Sequence, residues 1–189
     1  MSKVPLDPTT ALYPTPVVLL TSGEIGREIN VMTAAWTGIV CSDPPMVSVS
    51  VRPHRHSHRI ITRAKEFVLA IPTEDMLEAT DRCGVISGRD HDKFKEVGLT
   101  AVPATKVRAP LIEECPVCLE CEVRDVLKLG AHDMFIGEVV AVDVSDQILV
   151  EGVIDIEKAK PILYCPVDSS YWSIGSKIGT YAFTSKKDS

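Results

Sequence analysis

"MVSVSVRPHRHSHRII", residues 46–61, places a strand, a turn and the start of a helix side by side. The first half alternates. Val47, Val49 and Val51 fall on one face, and Ser48, Ser50 and Arg52 on the other, because successive side chains of an extended chain point to opposite sides. Pro53 ends the alternation. "HRIITRAK" (58–65) then fits a short helix with Ile60, Ile61 and Ala64 on its apolar side and Ser57 in the N-cap position.

The same stretch holds three histidines among three arginines. A metal is one reading, since His54, His56 and His58 share a strand face and His54 and His58 share a helix face. Arg52, Arg55 and Arg59 oppose it, because nearby cations disfavour a dication. An anion suits the stretch better. A helix N-terminus offers free N–H groups and partial positive charge. With the Ser57 hydroxyl and the Arg52 fork it makes a cradle for a phosphomonoester. A capped surface helix with solvated charges remains the other reading, and the residues alone leave the two open.

Working outward, most of the signal is β. "PVVLLTS" (16–22) reads as a strand, "GEIG" as a turn, and "NVMTAAWTGIVC" (30–41) as a second strand closed by the turn "SDPP". "EFVLAIP" (66–72) is another strand. Thr73 caps a predicted helix over 74–84, stopped by Gly84, and a second helix spans 89–98. Strands over 116–129 and 133–145 form a hairpin through "GAH". Short strands and turns finish the chain, and "TSKKDS" reads as a frayed tail. Many closely spaced strands with few small helices predict a barrel or sandwich. Regular βαβ alternation and dinucleotide or phosphate-loop glycine motifs are missing.

The 189 residues suit a single domain, and 45% apolar content supplies a core. The net charge of −6 argues against a nucleic-acid binder. No signal peptide or membrane span is read, so a cytoplasmic place is expected, with the six cysteines reduced. "CPVCLEC" (115–121) has cluster-like spacing. On a strand, however, Cys118 and Cys121 point to opposite faces about 10 Å apart. Cys121 is expected in the core, Cys118 as an exposed or interface thiol, and no metal is expected. Glu138 falls on an apolar parity set and needs a partner, and Gly137 beside it suggests a bulge or a close approach. His132 in the hairpin turn could orient substrate or donate a proton, or simply bond backbone. Tyr171 and Trp172 could cover a ligand or fill a seam.

Taken in order, "NVMTAAWTGIVCSDPPMVSVSVRPHRHSHRIITRAKEFVLAIPT", "SGRDHDKF", "CPVCLECEV", "AHDMFIGEVVAV" and "YWSIGSKIG" resemble the flavin-reductase-like, or flavoredoxin-type, FMN-binding proteins. The resemblance covers about residues 10 to 180. It implies a mainly β, six-stranded Greek-key split β-barrel with a few short helices, dimeric, with FMN near the interface. It implies that the strand bearing Asn30, Met32, Thr33, Ala34, Ala35 and Trp36 borders the isoalloxazine edge. Ser48, Val49, Ser50 and Arg52 would follow the ribityl chain and phosphate. Ser57 and its helix would hold the phosphate, with Lys93 as a second cation and His56 or His58 as further donors. His132 would sit at the mouth, the one catalytic candidate, with Tyr171 and Trp172 near the ring. Many relatives carry Thr or a bulkier residue where this chain has "HRHSH". The expected function is an oxidoreductase taking electrons from NAD(P)H through FMN to flavin, ferric iron or a protein. An electron carrier or a flavin store without a nicotinamide site is the alternative.

Overall fold

The computed structural model describes residues 1–185. The part of the C-terminal tail from Lys186 onward lies outside the described residues. Three antiparallel hairpins build the main sheet. β1 (Val18–Gly23) pairs with β2 (Ile29–Ala34), β3 (Thr37–Ser42) with β4 (Pro45–Val51), and, after α1 (His56–Ala64), β5 (Glu66–Ile71), α2 (Leu77–Val85) and α3 (Lys93–Val97), β6 (Val117–Lys128) pairs with β7 (Asp133–Val144). A small outer ladder, β8 (Ile162–Cys165) with β9 (Ser170–Ser173), follows α4 (Ile156–Ala159). The spatial order of the main sheet is β2-β1-β5-β6-β7-β4-β3.

Both faces of this sheet are buried. Val18, Leu20 and Met32 from one end of the order pack with Val47, Val49 and Val51 from the other, around Phe67 and Phe135. Strands so far apart in the order can share one core only if the sheet curls into a barrel. Removing a side chain such as fully buried Phe67 from water contributes about 1.5–3 kcal/mol. The curl ends in an open seam. Ser50 N–H donates to Trp36 C=O at 2.8 Å just past β2, yet no ladder joins β2 to β4 among the described residues, so the barrel is split. The opposite residues of the same strands, Leu19, Val31, Val68 and Ala70, pack under α2, α3 and the 99–115 loop.

The structure corrects several expectations. The main sheet has seven strands, because 30–41 is two strands: the chain breaks at Ala35–Trp36, where the Trp36 carbonyl turns to Ser50, and restarts as β3. Helix α1 starts at His56, so Ser57 is not its cap. Ser57 lies fully buried in the first turn, and the cap is the extended backbone of Arg55, with no side-chain bond. Helix α2 runs through Gly84 to Val85, and residues 74–76 form a 3₁₀ turn that Thr73 does not cap with its side chain. α3 starts at Lys93, where Asp92 accepts from the Lys95 N–H at 3.3 Å, and Gly98 (φ +70°) ends it. Residues 156–159, expected in a strand or turn, form α4, capped by Asp155.

Cys118 is buried in the outer core and Cys121 in the barrel core. Opposite-face placement therefore holds, but exposure of Cys118 does not, because the 99–115 loop covers that face. The same loop explains buried Glu120. Its carboxylate accepts from the N–H groups of Thr105, Lys106 and Val107 and from the Thr105 hydroxyl, at 2.6–2.9 Å. Glu138 finds its partner in Arg124, 2.8 Å away. At Gly137, beside a register shift in β7, a Cβ would lie 2.6 Å from the Phe67 ring, so close approach demands glycine there.

Candidate functional site

The end of β2 and the chain beyond it, Met32 to Trp36, line a cleft of about 460 Å³. Ser50 and Arg52 come from the polar face of β4 and its exit. Asp81, Gly84 and Val85 come from α2, Tyr164 and Tyr171 from the outer ladder, and His132 from the β6–β7 turn. The aromatic side chains form a wall. The Trp36 and His132 rings stack at 6.3 Å and 8°. Trp36 lies 6.4 Å from Tyr164, which lies 5.5 Å from Tyr171. The Tyr171 hydroxyl donates to Asp81 Oδ1 at 3.0 Å. Burial, and then that carboxylate, push the phenol up to about 12, so it remains a donor at neutral pH. Burial, then Arg52 and His54, hold the His132 imidazole below its ordinary value, which leaves it neutral at pH 7 and able to donate or accept.

A smaller cavity of about 140 Å³ lies next to the cleft, with Met32 and Arg55 in both linings. It is lined by Asn30, His54, His56, Ser57, Ser87, Gly88, Arg89 and Lys93 among others, and by no carboxylate. Arg55, Arg89 and Lys93 converge on it, and among the described residues their partners are backbone carbonyls alone: Gly84 C=O at 3.3 Å, His54 C=O at 2.9 Å and Cys83 C=O at 2.7 Å. Lys93 is 5% exposed. Burial pulls its ammonium down to about 8, against an opposing effect of Cys83 and with a smaller push in the same direction from Arg55. His56 is lowered too, first by burial and then by Arg59, Arg89 and Lys93, although Glu28 at 3.2 Å pulls it up. Cations that depress one another's charge call for an anion.

Local structure fixes this cavity. Asn30 Nδ2 donates to Ser57 Oγ at 2.7 Å, which ties β2 to the first turn of α1. A Cβ on Gly88 would lie 1.9 Å from Asn30 Oδ1, so only glycine lets the 86–89 turn approach. The N–H groups of His56 and Ser57, in the first turn of α1, have no acceptor among the described residues. Such a donor set fits a phosphate dianion, and the neighbouring aromatic cleft fits a flat heteroaromatic ring.

Of the residues singled out from the sequence, Met32, Thr33, Ala34, Ala35, Trp36, Ser50, Arg52, His132 and Tyr171 line the cleft. Asn30, His56, Ser57 and Lys93 line the small cavity, so Asn30 stands in the cation-lined cavity and not in the aromatic cleft. Others stand apart. Ser48 is buried beside the Gly38 carbonyl, and Val49 points into the barrel core. The Nε2 atom of His58 meets Asp133 Oδ2 at 2.8 Å, away from both cavities. Trp172 is 59% exposed, and its indole N–H donates to Ser170. Sequence reasoning missed Arg55, Arg89, Asp81 and Tyr164. Arg55 lay in the histidine stretch and Arg89 in "SGRDHDKF", so a search for every cation near the helix start would have found both.

Comparison with known proteins bears on this geometry. A family model described as the flavin reductase like domain matches residues 10–168. The chain is similar to a protein of Pyrococcus abyssi, 40% identical over 130 residues, covering 69% of this chain and 74% of that one. It is similar to the NADH:riboflavin 5'-phosphate oxidoreductase of Streptomyces pristinaespiralis, 28% identical over 131 residues, covering 69% and 72%. Among solved structures, it resembles the flavoredoxin of Desulfovibrio vulgaris (Miyazaki F), with a TM-score of 0.91 and 34% identity, covering 97% of this chain and 100% of that one.

Proposed function

The chain belongs to the flavin reductase-like family, and on that premise we propose that it binds FMN without a covalent link and passes electrons through it. The observation that carries this reading is the adjacency of the aromatic-walled cleft to the carboxylate-free, cation-lined cavity. FMN has the same two parts, a flat ring and a phosphate. When bound, the flavin supplies the redox chemistry, and the protein supplies binding, orientation and electrostatics.

Arg55, Arg89, Lys93 and the N–H groups of α1's first turn hold the phosphate. Asn30 keeps Ser57 in place. Backbone N–H groups along Met32–Trp36 bond the polar edge of the ring. Trp36, Tyr164 and Tyr171 exclude water from one side, and neutral His132 offers a hydrogen bond at the mouth. The donor is NADH or NADPH, and the acceptor is free flavin, ferric iron or a protein. Likeness to an NADH:riboflavin 5'-phosphate oxidoreductase supports this reading. Likeness to a flavoredoxin supports the second reading, a carrier that takes electrons from a protein and has no nicotinamide site.

The chain acts as one FMN-binding unit paired with a second copy, whose seat is the apolar β3 edge: Ile39 is 85% exposed and Trp36 42%. All six cysteines are free thiols, which supports a reducing, cytoplasmic setting. No helix among the described residues is long and apolar enough to cross a membrane. They also hold no group of three or more His, Cys, Asp or Glu side chains placed to bind a metal.

The test is titration of FMN and then riboflavin into flavin-free protein, followed by anaerobic NADH or NADPH. Tight FMN and weak riboflavin binding is expected, with flavin bleaching by NADH or NADPH alone. FMN binding without bleaching by either NADH or NADPH selects the carrier. Equal affinity for both flavins sinks the assignment of the small cavity.

A further inference from the structure

His58 lies in the first turn of α1, beside the anion cavity, yet lines neither cavity. Its ring is pinned on two sides. Nε2 meets Asp133 Oδ2 at 2.8 Å, with both side chains about 15% exposed or less. The ring also stands edge-on, 5.3 Å and 69°, against Phe135, which is fully buried in the barrel core. Asp133 begins β7, pairs with Val51 of β4, and directly follows His132. Its neighbour across the ladder, Val51, directly precedes Arg52. One side-chain contact therefore reaches, within one residue on each strand, the two groups that face the mouth of the cleft. On the other side of the same helical turn, Ser57 is held by Asn30. The first turn of α1 is thus tied both to β2 and to the β6–β7 hairpin.

We propose that His58 and Asp133 are a positioning pair that locks the β6–β7 hairpin to the helix of the anion cavity and so keeps His132 stacked on Trp36. The turn 129–132 between the strands is exposed or half-buried, and its own ladder ends at Asp133–Lys128. Without the tie, His132 hangs on a turn that projects past the last rungs of the ladder, Asp133 with Lys128 and with Val51. The consequence for turnover rests on the proposed flavin chemistry, whereas the placement of His132 does not.

The test starts on flavin-free protein. The chain has two tryptophans, so a Trp172→Phe background leaves Trp36 as sole reporter. A protonated imidazole quenches a stacked indole. Acidification should therefore quench Trp36 with a midpoint below 6.5, because His132 is held low. His132→Ala should abolish the step, which separates it from His54, the other imidazole nearby. His58→Leu and Asp133→Ala cut the tie from opposite sides, so one serves if the other fails to fold. Each should lose most of the quenching amplitude. Asp133→Asn still accepts from a neutral imidazole N–H and should retain it. An unchanged step in both cut variants, or no His132-dependent step in the parent, overturns the pair. With FMN, the cut variants should keep affinity within about threefold while NADH-driven flavin reduction slows at saturation. Absence of FMN binding in the parent would sink the functional reading but leave the fluorescence result standing.

Discussion

Lys93→Met should distinguish FMN from riboflavin and should remove a pH dependence. The ammonium is buried and spends one of its three donors on the Cys83 carbonyl. A phosphate in the small cavity takes the others. A charge-assisted hydrogen bond of this kind contributes about 1.5–3 kcal/mol. Its loss should weaken FMN by about 10- to 150-fold, and riboflavin by far less. The pH profile follows from the same group. In the flavin-free protein the ammonium titrates at about 8. A bound dianion favours the charged form and raises that value, so FMN binding takes up a proton above pH 8. Affinity is then fully present below pH 8 and falls as pH rises, by about tenfold between pH 7 and pH 9. The phosphate itself does not titrate in that window, since its second pKa is about 6. The assay is quenching of flavin fluorescence at each pH, for both ligands and both proteins. A riboflavin curve parallel to the FMN curve, or a Lys93→Met protein that keeps the slope, refutes the reasoning. A thermal melt run alongside controls for the Cys83 carbonyl, which loses its partner.

Three further outcomes are expected. Gly137→Ala drives a methyl against the buried Phe67 ring and should cost about 1–3 kcal/mol in urea unfolding; an unchanged midpoint contradicts the close approach. Glu120→Ala leaves the N–H groups of Thr105, Lys106 and buried Val107 without their acceptor and should cost about 1–3 kcal/mol, read as a fall in melting temperature. Asp143 is raised above its ordinary value by burial and by Glu120, and its Oδ2 is buried without a partner. A carboxyl raised on folding contributes stability at low pH that is lost as pH rises through the folded value. Asp143→Asn should therefore gain in melting temperature relative to the parent at pH 8 and not at pH 4.

How much of this was legible in the sequence depended on whether one face or two were buried. β4 could be read to the residue, because its valines enter the barrel and its serines do not. β6 misled, because a 17-residue loop packs on its second face and turns Cys118 and Glu120 from surface into interior. No local pattern announces a loop that folds back onto a strand. The start of α1 misled for a related reason. Ser57 looks like a cap by residue type, but its hydroxyl receives a bond from Asn30, 27 residues away. Tyr171 and Trp172 are neighbours whose roles could not be divided without the register. β9 sets Tyr171 opposite Tyr164 at the cleft and turns Trp172 outward.

On the question left open by the histidine stretch, anion holder or solvated surface helix, the partner that each cation finds favours the proposed anion holder. Cations on the outer side of α1 are neutralised: Arg59 and Arg63 gather on Glu28. Cations on the inner side are not: among the described residues, Arg55, Arg89 and Lys93 bond only carbonyl dipoles. A solvated helix has no reason to divide its charges this way. An acidic chain has carboxylates to spare, 26 against 20 lysines and arginines, and could have paired the inner cations as it pairs the outer ones. Holding Lys93 buried costs folding free energy, and that burial is the chief cause of its lowered ammonium. On the proposed reading, a dianion entering the cavity would offset that cost, and the same arrangement would favour a phosphorylated flavin.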